Sequence, residues 1–101
     1  MLSLRPTVIA GERLPDDYCV RSGDRAVGRI RLAHERTGQS EGWDWSINVP
    51  LPIPSWGVGR AGSLEEAKVA FRKAWGRFYA SLTLQDIQHW HHHQDAAGDR
   101  A

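Results

Sequence analysis

Residues Trp43-Asp44-Trp45-Ser46-Ile47-Asn48-Val49 alternate apolar and polar without a fault, and Pro50, Pro52 and Pro54 follow at once. A sustained period of two is the signature of a β-strand with one buried face, here Trp43, Trp45, Ile47 and Val49, and one open face, Asp44, Ser46 and Asn48. Two indoles on one face carry a large apolar area that must be covered. An isolated strand cannot do this, so the chain is committed to a sheet with a second layer against it. The prolines remove three backbone donors, which stops the strand and predicts an extended, polyproline-like connection.

The second layer is legible further on. Ser63-Leu64-Glu65-Glu66 is a capping box, with the Ser63 hydroxyl placed to accept from the Glu66 N–H and the Glu66 carboxylate placed to reach back. Leu64, Ala67, Ala70, Phe71, Ala74, Trp75, Phe78 and Leu82 then recur at three- and four-residue steps, with Glu65, Lys68, Arg72, Lys73 and Arg77 on the other side. This predicts a long amphipathic helix from Leu64. Thr83-Leu84-Gln85-Asp86 offers a second cap, and Leu84, Ile87 and Trp90 form a short apolar stripe, so a break near Thr83 and a brief second helix are expected.

Before the tryptophan strand, Tyr18 and Val20 alternate with Cys19 and Arg21, Ser22-Gly23-Asp24 signals a turn, and a second alternating run follows. In that run Ala26, Gly28, Ile30 and Leu32 share one face, and Val27, Arg29, Arg31 and Ala33 the other. A two-residue loop at Gly23-Asp24 would set Tyr18 opposite Arg29 and bring charge to the apolar side. A three-residue loop pairs Tyr18 with Gly28 and Val20 with Ala26, and is the expected register. An aromatic ring, Tyr18, would then cover the strand glycine. The polar segment from His34 to Gly42 reads as a turn-rich connection.

These elements predict an α+β fold: a three-stranded antiparallel β-meander packed on one long α-helix, followed by a short C-terminal helix. The 101 residues suit a single domain with an ordered core over about 16–92. Residues 1–15, interrupted by Pro6 and Pro15, read as an edge strand or a mobile arm, and 94–101 as a mobile tail. Cys19 is the sole cysteine, which fits a reducing interior, so a cytoplasmic location is expected. No run nears the ~18 apolar residues that a spanning helix requires, so no membrane association is expected.

Charge narrows the function. Thirteen basic against twelve acidic residues leave a formal net charge of +1, which excludes a strongly basic nucleic-acid binder; any binding charge must be local. The open face of the sheet gathers it, with Cys19, Arg21, Arg29, Arg31, Asp44, Ser46 and Asn48, and Arg25 at the turn. Arg21, Arg29, Arg31 and Asn48 are the candidate nucleic-acid contacts, since Arg suits guanine and Asn suits adenine in a major groove. The plainer reading is the wet face of an antiparallel sheet. Trp43, Trp45 and Trp75 fall on buried faces, whereas Trp56 and Trp90 are less constrained and are candidates for a protein interface.

Two motifs invite stronger readings. Gly57-Val58-Gly59-Arg60-Ala61-Gly62 spells a dinucleotide-binding phrase, but prolines separate it from the preceding strand and no parallel strand follows the helix, so the glycines read as a flexible approach to the cap. An anion held by Arg60 at the helix N-terminus is the weaker form of that idea. His89, His92 and His93 share a helical face and could ligate zinc or nickel, although a structural site wants about four ligands; surface histidines are the favoured reading. No catalytic constellation has local support, so no enzyme and no cofactor is expected.

The order Tyr18-x-Val20, Val27-Gly28-Arg29-Ile30, Trp43-x-Trp45-x-Ile47, Gly62-Ser63-Leu64-Glu65-Glu66-Ala67-Lys68 and Phe71-x-x-Ala74-Trp75 resembles small uncharacterised bacterial proteins over roughly residues 17–80. In architecture it is similar to three-strand-plus-helix modules: the DNA-binding sheets of the apetala and integrase N-terminal type, and HicB-like antitoxin partners. That resemblance implies nucleic-acid or protein binding and no particular activity. The leading expectation is a non-catalytic protein-interaction module with an unknown partner or a second copy of itself. The alternatives are nucleic-acid binding through the arginine-bearing face and metal binding through the histidine tract.

Overall fold

The computed structural model describes residues 2–33 and 42–99. Strands β1 (Leu2–Ile9), β2 (Glu12–Ser22), β3 (Arg25–Ala33), β4 (Gly42–Ile47) and β5 (Val58–Ala61) are followed by helices α1 (Leu64–Ser81) and α2 (Leu84–Asp99), and a single 3-10 turn, Ser55–Gly57, precedes β5. The strands form one sheet in the order β1-β2-β3-β4-β5, every neighbouring pair antiparallel. The fold is α+β, with two more strands than the sequence pattern predicts. The connection expected over His34 to Gly42 lies, up to residue 41, outside the described residues.

The extra strands are the two edges. The N-terminal segment pairs with β2 through a two-residue turn in which Ala10 (φ 53°) and Gly11 (φ 82°) are both left-handed, as a type I′ hairpin requires. Pro6 is tolerated because an edge strand leaves half its backbone groups unpaired. At the opposite edge, β5 is built from residues read as flexible glycines. Gly59 pairs with Trp45, whose indole lies across it, so that any Cβ there would collide with the ring. The ring supplies the packing that glycine lacks.

The β2–β3 hairpin keeps the expected faces by a different route. Ser22 pairs with Arg25, leaving a two-residue turn with Gly23 at φ 59°, and a bulge between Val20 and Arg21 then shifts the register. Tyr18 therefore opposes Ile30, and Val20 opposes Gly28. The bulge restores the parity that a two-residue turn alone would break. It also turns Val27, assigned to the open face, into the core at 0% exposed. Gly28 is covered by Phe71 from α1 rather than by Tyr18, which instead stacks on Trp43 with ring centroids 6.4 Å apart.

Helix α1 starts where the capping box places it: Ser63 Oγ accepts from Glu66 N at 3.1 Å, and Gly62 N donates to the Glu66 carboxylate at 3.1 Å. Its buried residues, Ala67, Phe71, Ala74, Trp75 and Phe78, place it mainly on β4, β5 and the 3-10 turn, with Phe71 reaching Gly28 of β3. Leu82 is extended, and Thr83 recaps the chain, its hydroxyl accepting from Asp86 N while Asp86 accepts from Thr83 N. Helix α2 is sixteen residues long rather than short, and it includes residues expected in a mobile tail. Its Leu84, read as part of the apolar stripe, is 72% exposed. Among the described residues no helix is long and apolar enough to cross a membrane.

Candidate functional site

Directly paired residues share a face, so the register assembles the open side of the sheet row by row. One row reads Asp17, Arg31, Asp44, Arg60 across β2, β3, β4 and β5; the next reads Arg5, Cys19, Arg29, Ser46 across β1 to β4. The first row alternates in sign. Asp17 is buried and accepts from Arg29 Nε at 2.8 Å, from Arg29 Nη2, and from Thr7 Oγ1 at 2.8 Å. The Arg29 hydrogen bonds hold the Asp17 carboxyl below the usual carboxylate range, against the opposing effect of burial, and the Arg29 guanidinium is correspondingly raised. Arg60 Nε meets Asp44 Oδ1 at 3.0 Å. The shallow depression of about 480 Å³ that contains Arg29, Arg31, Asp44, Ser46 and Arg60 is therefore a ladder of offsetting charges.

The four residues read as nucleic-acid contacts do not stay together. Arg29 and Arg31 line that depression, and Arg31 is exposed. Asn48 lies past the end of β4, where its amide donates to Ser46 Oγ at 3.2 Å and its backbone N–H bonds the Val27 carbonyl at 2.8 Å. Arg21 donates to the Asp24 carbonyl and lines a separate cleft of about 770 Å³ between the β2–β3 turn and α2.

In that cleft Gln94 is the hub. Its Nε2 donates to the Ala26 carbonyl at 2.7 Å, and its Oε1 accepts from Trp90 Nε1 and from Arg25 Nη1, each at 3.2 Å. Arg25 also grips Asp95, at 2.9 Å and 3.3 Å, which lowers the Asp95 pKa. Trp90 is 2% exposed and packs edge-on against Trp75, with centroids 5.7 Å apart. It belongs to the core. Its buried indole N–H needed a partner, and a Gln one helical turn later was the available signal.

Trp56 is half-buried, edge-on to Phe78, with the Arg77 guanidinium carbon 4.1 Å from its ring centroid. It borders a groove of about 450 Å³ together with Leu51, Pro52, Ile53, Pro54 and Leu82. His89, His92 and His93 are exposed on α2; the His89 and His93 rings are 4.2 Å apart and those of His92 and His93 5.6 Å. No group of three His, Cys, Asp or Glu side chains suited to a metal ion occurs among the described residues.

The surface that sequence reasoning missed is on the helix side of the sheet. Strand β1 alternates, and Leu2, Leu4 and Pro6 share the face on which Val20 lies, because Leu4 pairs with Val20 and Pro6 with Tyr18; the register then shifts before Val8, which pairs with Arg13. Leu2 and Leu4 are half-buried, Pro6 is exposed and Val8 is 60% exposed. Leu2, Leu4, Val20, Ile30 and Phe71 form an apolar groove of about 240 Å³, with Lys68 and Arg72 of α1 along one wall. The alternation in residues 2–8 was visible, but its use depended on whether α1 reached it. Comparison with known proteins yields no significant match to a family model, a curated protein or a solved structure.

Proposed function

We propose that the chain is a non-catalytic protein-interaction module whose docking surface is the helix-side face of β1 and β2. The observation that carries this reading is the width of the sheet against that of its cover. Five strands at ~4.8 Å spacing span about 19 Å between outer axes, and a helix is about 10 Å across. Helix α1 covers only part of that width, lying mainly on β4 and β5 and reaching β3, and α2 meets the sheet at the β2–β3 turn through Gln94 and Asp95. The neighbouring strip of Leu2, Leu4 and Pro6 has the width for a further helix. The nucleic-acid reading is weaker, because Asp17 and Asp44 offset arginines of the opposite face.

The test is an NMR titration of the isotopically labelled chain with a helical peptide that has an apolar stripe and uncharged flanks. Amide shifts are expected on Leu2 to Arg5 and near Val20, and loss of binding in Leu4→Asp and in the solvent-exposed variant Pro6→Asp. Absence of peptide shifts on this face would overturn the reading, as would duplex DNA producing salt-steep shifts at Arg29 and Arg31 in its place.

A further inference from the structure

Resting on that docking surface, we infer that its occupant is an acidic amphipathic helix of a partner protein, carrying two carboxylates one turn apart that meet Lys68 and Arg72. The groove floor is apolar and closed, with Val20 at 2%, Ile30 at 1% and Phe71 at 1% exposed. An occupant must therefore bring an apolar stripe. The rim on the α1 side is cationic: Lys68 and Arg72 are four residues apart and so stand one above the other on the flank of the helix. Lys68 has Glu65 at 3.0 Å, and Arg72 is exposed with no hydrogen bond or ion pair among the described residues.

The unpaired positive charge of this rim is confined to the groove. Leu2 of the groove pairs with Ser22 of the turn cleft, so the two depressions adjoin, but in the cleft Arg25 is held by Asp95 and Arg21 has Asp24 beside it. A helix lying alongside α1 would present its own i and i+4 positions to Lys68 and Arg72, in the manner of the flanking charges that choose partners in coiled coils. Such rim charges set selectivity more than they set affinity.

A second copy of this chain is a poor occupant. The exposed face of α1 carries Arg72, Lys73 and Arg77, which would set like charges against Lys68 and Arg72; its Glu65 and Glu66 are engaged by Lys68 and the Gly62 N–H, and beside the half-exposed Val69 and Tyr79 the larger Trp75, Phe78 and Trp90 are already buried. A helix from a different protein meets neither obstacle.

The experiment uses three fluorescent helical peptides with one common apolar stripe and flanks of Glu, of Lys, or uncharged, titrated against the full chain by anisotropy. The Glu helix is expected to bind roughly tenfold more tightly than the Lys helix, the scale that two rim ion pairs support. In the double variant Lys68→Glu/Arg72→Glu that preference is expected to reverse, which a merely destabilised protein would not show. Equal binding of all three peptides overturns the acidic-helix inference and leaves the docking surface standing. Binding of none overturns both. A stable dimer by light scattering, with β1 amides protected and inaccessible to peptide, assigns the face to a second copy and overturns the inference.

Discussion

Two glycine-to-alanine substitutions should move stability in opposite directions, and the geometry says why. At Gly28 a Cβ would overlap both the Phe71 ring and the Ser46 carbonyl. The ring is 1% exposed and sits edge-on to Trp45 with centroids 6.2 Å apart, and the carbonyl belongs to β4, so neither can withdraw freely. Overpacking of this kind costs about 1–3 kcal/mol, which exceeds the roughly 0.5–1 kcal/mol gained when alanine replaces a strand glycine. Because one clash is with backbone, Gly28→Ala is expected to lose about 2 kcal/mol net. With urea m-values near ~2 kcal/mol/M, the unfolding midpoint then falls by about 1 M. Gly76 sits inside α1, with nothing within 4 Å of its added Cβ. There the same substitution removes only the helix penalty of glycine and is expected to add about 0.5–1 kcal/mol. Equilibrium urea unfolding of the two variants reads both signs. A Gly28→Ala variant as stable as the parent would refute the placement of Phe71 on β3 and, with it, the floor of the proposed docking groove.

Further outcomes follow from the polar hubs. Asp17→Asn should destabilise by about 1–2 kcal/mol, a charged hydrogen bond's contribution discounted because the Arg29 side chain is 40% exposed; thermal unfolding would show it, and an unchanged midpoint would count against the pair. Since the Asp17 pKa is lowered by folding, its stabilisation is present above the ordinary carboxylate pKa of about 3.9 and is lost as pH falls through the lowered value, so the parent should show an acid loss that Asp17→Asn lacks. Gln94→Ala strands the Trp90 N–H and the Ala26 carbonyl and should cost about 1–3 kcal/mol, with faster amide exchange in α2; intact protection there would contradict the hub role. Ser63→Ala should cost about 1 kcal/mol through the lost cap at Glu66, read by the same urea assay.

Much of this architecture was readable locally. The fault-free alternation that begins at Trp43 is β4 as far as Ile47, and the Ser63 box opens α1 where expected, because period and capping depend only on near neighbours in the chain. The edges were not readable in the same way. Gly59 has no strand preference of its own and becomes strand because Trp45 lies over it, while Pro6 becomes tolerable because nothing pairs beyond β1. Register escaped for a related reason. Parity demanded that Tyr18 and Val20 share the apolar face, but a longer loop and a bulge satisfy parity equally well, and only the contacts of Val27 and Phe71 distinguish them.

The candidate sites divide along the same line. Residue type alone showed that Arg29 and Arg31 share a face, yet their charge depends on carboxylates that pairing brings alongside: Asp17 twelve residues before Arg29, and Asp44 opposite Arg31. Trp90 looked available until α2 laid it against Trp75. By itself the sequence determined the fold class, the principal helix and the strand that must be buried, because hydrophobic period and capping act over a few residues. The tertiary structure decided which charges cancel, which tryptophans are spent in the core and which half of the sheet face is left for a partner. Those outcomes are set by what lies across a strand pair or under a helix, at separations that no local pattern reports.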